Sequence, residues 1–357
     1  MPPLRQPVVR ALCSVALLAC AGNAHAQEPP ATGIAPPTDG RAPEVGAIFE
    51  QTGVLTQPGH YVLEPSVQYG YSSSNRVALV GYTVIPALLI GLIDVREVKR
   101  NTLVGALAGR VGLSKRLEVE VRVPYVYRSD DNVSREIGNP SAVEEVFSAK
   151  GSALGDVELA ARYQMNEGGV DKPFFIGGLR YKSRTGRDPF EVLTQCNTRC
   201  VSIADGSGLP LDLPTGSGFN SLQLSMTMLY PSDPAVFFGS LSYTHNFKRD
   251  DVRRKVLHAD EFLGTIAPGA VLGFNFGMSL ALNEKSSFSM GYDHSLVDRT
   301  RQNGEVLAGS VVTQLGTLLL GYSYRLSGST TLNLSVGAGL TRDTPDVSVT
   351  LRLPISF

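Results

Sequence analysis

From about Tyr61 to the last residue, Phe357, the chain repeats one texture. Segments of roughly ten residues, the length of a tilted membrane strand, alternate apolar and polar side chains. In "RLEVEVRVPYVYR", Leu117, Val119, Val121 and Val123 alternate with Glu118, Glu120 and Arg122. "NSLQLSMTMLY" sets Leu222, Leu224, Met226 and Met228 against Ser221, Gln223, Ser225 and Thr227. "VSVTLRLPISF" does the same with Val347, Val349, Leu351, Leu353 and Ile355 against Ser348, Thr350 and Arg352. A period of two belongs to a strand with two unlike faces. The apolar face persists in every segment, with no second class of strands to cover it as a sandwich would. In lipid such strands must close into a barrel, because each unpaired backbone group at an open edge costs several kcal/mol.

The connectors alternate in length. Short ones stand at 114–116, 166–172, 230–234, 283–287 and 326–330, and long polar ones at about 128–154, 184–215, 248–263 and 298–309. Short turns on one rim and long loops on the other are the layout of an outer-membrane barrel, the short turns periplasmic. The expected fold is therefore an all-β, transmembrane, antiparallel up-and-down barrel of 12–14 strands, over residues 59–357. Eleven strands count from Thr102 onward, and "YVLEPSVQYGY" adds a twelfth. "RVALVGYTV" and "ALLIGLIDV", on either side of Pro86, would make fourteen, the number the pattern favours. Pro124 falls on the polar face in mid-strand and predicts a bulge or bend. Tyr125, Tyr127, Tyr181, Tyr230, Tyr243, Tyr322 and Tyr324 near strand ends suit a membrane interface, where the ring tolerates headgroups and the hydroxyl needs water.

The N-terminus agrees with an exported barrel. Residues 1–26 carry Arg5 and Arg10, an apolar run and the small-residue ending "AHA", which is a secretory signal peptide. Lipidation at Cys20 of "LLAC" is the alternative. The whole chain has 32 Lys+Arg; less Arg5 and Arg10, 30 remain against 33 Asp+Glu, a net charge of −3. That excludes the basic surplus of a nucleic-acid binder. After the signal no uninterrupted apolar run of about 18 residues appears, so spanning helices are not expected. Residues 27–43 hold five prolines in 17 positions and read as a periplasmic linker. Residues 44–58 form a short amphipathic segment, with Val45, Ile48 and Phe49 on one face. The exported chain keeps two cysteines, Cys196 and Cys200, whose spacing in an oxidising compartment predicts a small loop disulfide.

Parity assigns Glu64, Arg110, Glu118, Glu120, Arg122, Glu158, Arg162, Arg180, Lys182, Asp293, Arg325 and Arg352 to the lumen. They can brace the wall as ion pairs or line a hydrated channel. His245 and His294 share parity with Tyr243 and Tyr292 and face outward. No nucleophile elbow, phosphate loop or metal-ligand motif occurs, so no catalytic residue, cofactor or metal is predicted. "KRDDVRRK", Lys248 to Lys255, reads as a solvated loop tip that could also meet lipopolysaccharide phosphates.

"GVLTQPGHYVLEPSVQYGYSSSNRVALVGY", "ALLIGLIDV" and "RLEVEVRVPYVYRSDD" resemble the proteobacterial outer-membrane barrels grouped with the MetA-pathway of phenol degradation proteins and the functional-amyloid exporter FapF. The resemblance runs from about Phe49 to the C-terminus. It implies twelve strands rather than fourteen, a homotrimer, and an N-terminal segment that plugs the pore, here residues 44–58. It departs from FapF in the short Pro-rich linker, where FapF carries a coiled coil. The apolar alternation ending on Phe357 resembles the signal read by the barrel-assembly machinery. The expected partners are therefore that machinery, outer-membrane lipid and lipopolysaccharide. The expected function is a Gram-negative outer-membrane channel for an exported polypeptide or small solutes, aromatic ones included. The alternatives are a structural or adhesive barrel with a blocked lumen and, behind it, a barrel enzyme. N-terminal sequencing of protein purified from membranes should begin at Gln27, and thiol titration without reductant should find no free cysteine.

Overall fold

In the computed structural model, the described residues are 55–74, 93–136, 145–169, 172–194, 210–307 and 310–357. The plug residues Val45, Ile48 and Phe49, both cysteines and most of the two segments flanking Pro86 lie outside them. Eighteen strands occur among the described residues. The first half of the chain contributes β1 (Tyr61–Ser74), β2 (Ile93–Ser114), β3 (Leu117–Glu136), β4 (Glu145–Leu154), β5 (Glu158–Gln164) and β6 (Phe174–Lys182). The middle contributes β7 (Ser221–Ser232), β8 (Ala235–Asn246), β9 (Arg249–Lys255), β10 (Asp260–Ala267), β11 (Val271–Asn283) and β12 (Ser286–Val297). The last part contributes β13 (Arg301–Gln302), β14 (Glu305–Val306), β15 (Thr313–Arg325), β16 (Thr331–Gly339), β17 (Val347–Arg352) and β18 (Ile355–Ser356).

Fourteen of these form one sheet, antiparallel throughout, that closes when β17 and β18 pair with β1. Ser66 pairs with Arg352 and Leu63 with Ile355 in a single register, so β17 and β18 are one strand interrupted at Pro354. β4 and β5 both pair with β3 and are likewise two halves of one strand. Among the described residues the wall therefore has twelve spanning strands. The segments around Pro86 lie outside the described residues except for Ile93 to Val95, which open β2. β1 pairs directly with β2 from Tyr61↔Val111 to Ser74↔Val98, and residues 75–92 are the connector between them. An apolar run with β-propensity marks a strand only if a partner edge is open, and here both edges are taken.

Pro124 does not bulge its own strand. The β2–β3 register runs unbroken through Ala106↔Pro124. The irregularity falls on the other neighbour. Arg122 faces Glu158 and Tyr125 faces Leu154, so two residues of β3 oppose three, Gly155 to Val157. Gly155 allows it: a Cβ there would sit 3.0 Å from Pro124 Cγ and 3.0 Å from Val126 Cγ2.

The outward face is predominantly apolar. Leu63, Val67, Leu107, Val121, Val123, Leu179, Leu224, Leu241, Leu320 and Val336 are all exposed there. Tyr69, Tyr125, Tyr127 and Tyr243 stand exposed toward the long-loop rim, and Tyr61, Tyr163, Phe237, Tyr324 and Phe357 toward the short-turn rim. At the latter rim Tyr61 stacks on Phe357 with ring centroids 5.0 Å apart. An apolar band between two aromatic girdles is the surface a bilayer requires. His245 and His294 share this outer face, His294 hydrogen-bonded through Nδ1 to Tyr292 Oη at 2.8 Å.

At the long-loop rim, β14, β13, β10 and β9 form a second, four-stranded sheet. "KRDDVRRK" is therefore largely strand β9 rather than a solvated tip, with Val252 fully buried. Val252, Leu263 and Ile266 pack with Phe190 and Phe219 from the connector after β6. Asp188 ties the two together: Oδ1 accepts the Phe190 amide at 2.8 Å and Oδ2 pairs with Arg249. Burial pushes the Asp188 carboxyl above its usual range, against those two stabilising partners. The same connector returns along the wall. The Leu213 amide bonds Lys150 O at 3.2 Å, and lumen-facing Arg128 donates to Pro214 O at 3.0 Å. Asp156, in the bulge, accepts the Gly186 amide at 3.0 Å and both the amide and hydroxyl of Ser217 at 2.7 and 2.6 Å. This close approach needs glycine at 151, since a Cβ there would fall 2.1 Å from Leu213 O. Gly151→Ala should loosen this connector at a cost of about 1–3 kcal/mol. Limited proteolysis should then cut between residues 183 and 220 faster than in the parent, while the heat-dependent gel shift of a closed barrel persists.

Candidate functional site

Strand register places all twelve predicted lumen residues on the inward face. Nine of them come together across β1, β2, β3, β5 and β6. Arg110 Nη2 lies 2.6 Å from Glu64 Oε2. Arg162 bridges two carboxylates, with Nη1 2.6 Å from Glu118 and Nη2 2.6 Å from Glu120. Glu158 lies 3.4 Å from Arg122 and 3.8 Å from Arg180. Lys182 stands 3.8 Å from Asp156, which joins the network through the bulge. The spacing follows from alternation: Glu118 and Glu120 project from one face of β3, and Arg162 on β5 faces Glu118 directly in register.

The remaining three predicted residues stand apart from this network. Asp293 on β12 faces Asn275 on β11 in register. Arg325 on β15 and Arg352 on β17 lie toward the short-turn rim, paired in register with Thr331 and with Ser66 and Asn333. Around them the inner face from β7 to β17 carries many small hydroxyl and amide side chains, among them Ser225, Ser242, Ser289, Thr317, Asn333 and Thr350, with Leu315 and Leu319 beside Thr317 on β15. The ion pairs thus occupy one arc of the lumen, and most polar groups on the other are small and neutral.

Within the ion-pair arc the charges are not equally presented. Glu118 and Glu158 keep only 3% and 6% of their side-chain surface exposed, while Arg162 and Arg180 each keep 31% and Arg122 25%. Around Glu118, Glu120 and Glu158 the carboxylates lie against the wall and the guanidiniums stand over them, whereas Arg110 and Glu64 are covered about equally. Charge reversal at Glu118 or Glu120 would therefore set like charges against Arg162 before it altered any field in the lumen. Partner-free buried charge is expensive, which makes Arg162 a brace.

A third feature of the lumen is not visible in the alternation. Phe174 and Ile176 of β6, Leu229 of β7, and Val236 and Phe238 of β8 also point inward, by the register Phe174↔Leu229↔Phe238. Ile176, Leu229 and Val236 are buried, at the short-turn end of their strands. The Phe238 ring reaches over two inward glycines: Cβ atoms at 277 and 291 would lie 2.5 and 3.3 Å from its Cζ. The sequence signal for this patch is the lapse of alternation in "PFFIGG" and "AVFFGS", where neighbouring positions are apolar on both faces.

The N-terminal chain enters on the inside of the wall. The Thr56 amide and hydroxyl both donate to Glu118 Oε2, at 2.7 and 2.5 Å. The Gly59 amide bonds Gly112 O at 3.1 Å, and the Gly112 amide bonds His60 O at 3.2 Å. Gly112 faces inward, and a Cβ there would overlap the carbonyl oxygens of Thr56 and Gln57 at 2.3 Å. Among the described residues no group of three His, Cys, Asp or Glu could hold a metal ion.

No family model matches the sequence. Among solved structures, the chain is similar to an outer membrane channel from Pseudomonas putida F1. The match has a TM-score of 0.53 at 12% identity, covering 86% of this chain and 98% of that one. It is also similar to the translocator domain of autotransporter NalP from Neisseria meningitidis, with a TM-score of 0.46 at 10% identity, covering 88% and 92%. At these identities the first likeness speaks to the fold, a transmembrane barrel of this size. Arg162→Ala should cost about 2–4 kcal/mol by leaving Glu118 and Glu120 unpaired. Glu118→Gln, which keeps an acceptor for Thr56, should cost less than half as much. The temperature at which each variant loses its folded gel form measures the difference.

Proposed function

We propose that the protein is a passive outer-membrane channel whose periplasmic mouth is narrowed by its own N-terminal segment, residues 44–58. The observation that carries this is the route of residues 55–60. They run inside the wall, against Gly112, with Thr56 held by Glu118. That residues 55–60 pass the periplasmic rim on its inner side supports the reading of the segment before them as a plug. The polar inner face supports a hydrated path, since twelve strands enclose more space than their inward side chains fill. The likeness to the Pseudomonas putida outer membrane channel supports the same reading. The cargo of this reading is small solutes, aromatic ones included, or an exported polypeptide, as the resemblance to the phenol-degradation and FapF group implies.

In planar bilayers, protein lacking residues 27–58 should pass several-fold more current than the chain beginning at Gln27. Equal and negligible currents from both would leave a closed structural barrel as the better account.

A further inference from the structure

An ion pair on the lumen wall shows a solute whichever of its charges is less covered. Around Glu118, Glu120 and Glu158 that charge is the cation. Glu118 spends both carboxylate oxygens, Oε1 on Arg162 at 2.6 Å and Oε2 on the Thr56 amide and hydroxyl. Glu158 lies between Arg122 and Arg180, at 3.4 and 3.8 Å, and keeps 6% of its side chain exposed. Arg122, Arg162 and Arg180 keep 25%, 31% and 31%. Register puts all three on inward positions, so their exposed surface opens into the lumen.

The count of inward charges points the same way. Glu64, Glu118, Glu120, Glu158 and Asp156 balance the five cations they pair with. Arg100 and Asp130, toward the long-loop rim, form one more neutral pair. Among the described residues of the spanning strands, the remaining inward charges are Arg128, Arg325 and Arg352 against Asp293. Three cations against one acid leave a surplus of two positive charges, in an exported chain that nets −3. Arg352 is exposed, and its neighbours in register are the neutral Ser66 and Asn333. A channel lined by one sign of charge between low-dielectric walls focuses the field and concentrates ions of the other sign. At about 0.1 M salt the screening length is about 10 Å, long enough for guanidiniums on the wall to act on an ion in the lumen.

We propose that the lumen selects small anions over cations, with Arg122, Arg162 and Arg180 as the selecting groups of the arc and Arg352 as the one toward the short-turn mouth. The covered carboxylates hold the three arc guanidiniums in place and are themselves withdrawn from the solute's path. This rests on the channel reading above and adds to it the sign of the charge that passes.

The test is the reversal potential of the exported chain, beginning at Gln27, in planar bilayers across a KCl gradient whose dilute side is at or below about 0.1 M. Many copies in one membrane supply the current, because a reversal potential depends on the ratio of the ion currents and not on their size. Where that current is negligible, protein lacking residues 27–58 takes its place. Chloride should permeate about threefold more readily than potassium. Arg180→Gln leaves Glu158 its partner Arg122, and Arg352→Gln disturbs none of the ion pairs described above. Each should lower the ratio, and the two together should bring it below about 1.5. Glu120→Gln, which leaves Arg162 on Glu118, should raise it. Residues that only brace the wall would leave the ratio where it was. Equal permeation in the parent, or a preference for potassium, would overturn the selectivity and leave the channel standing. So would a ratio unmoved in the double variant while its heat-dependent gel shift persists. If the double variant does not fold, Arg352→Gln alone decides by the same criterion. No current from either form of the parent would overturn both readings.

Discussion

The structure depends on the closure of one hydrogen-bond ladder. In lipid every backbone amide and carbonyl of the wall must find a partner within the wall. Here the last strand supplies the final set by pairing with the first. Closure survives even at Pro354, which has no amide to give: the neighbouring Leu353 amide bonds Pro65 O at 3.0 Å, and the ladder resumes at Ile355. The two ends of the sheet then meet, with Tyr61 and Phe357 exchanging backbone hydrogen bonds at 3.3 and 2.9 Å under a stacked ring pair. Closure also imposes the strand tilt, and the tilt decides which inward residues stand level with one another.

With the backbone satisfied by itself, the inward side chains are left to satisfy one another. Nine charged residues that would be ordinary solvated groups in a soluble sheet are drawn into neighbouring ion pairs, Lys182 with Asp156 and the other eight with one another. A network of this kind is retained only where nearly every member is paired, because the reduced dielectric that strengthens each pair also raises the cost of a missing partner. That explains the double duty of Arg162 between Glu118 and Glu120, and of Glu118 between Arg162 and Thr56. The same carboxylate therefore joins the wall's internal bracing to the point where the N-terminal chain comes in.

Glycine decides where backbone may approach backbone inside this wall. Gly112 admits the incoming chain, and Gly151 admits the returning connector after β6. The two sit near opposite rims, one on β2 and one on β4. Each is a plain wall position by register, and each would exclude its neighbour if it carried a methyl group. The connector's other end is held by the folded core of Phe190, Phe219, Val252, Leu263 and Ile266, so the long-loop rim carries packed structure of its own.

Much of this was legible in the residue order. Alternation alone assigned the faces of every spanning strand, because side-chain direction in a strand has a period of two and needs no partner to define it. It marked the twelve charged residues as inward and the tyrosines as interfacial. It could not settle the strand count: "RVALVGYTV" has the composition of a strand, but only the direct pairing of β1 with β2 leaves it no place in the wall. It misplaced the irregularity at Pro124, since a proline constrains its own amide while the slack was taken up by the flexible Gly155 opposite. It missed the inward Phe238 and Ile176, whose apolar side chains break the rule that polar residues face the lumen. The sequence by itself determined that this chain spans a membrane as a barrel and which face of each strand meets lipid. Only the tertiary structure decided which charges pair, that Arg122, Arg162 and Arg180 stand over Glu118 and Glu158, and that an apolar patch from β6, β7 and β8 faces inward. Those facts depend on register, tilt and closure, which are properties of strands distant in sequence and appear only when the last strand meets the first.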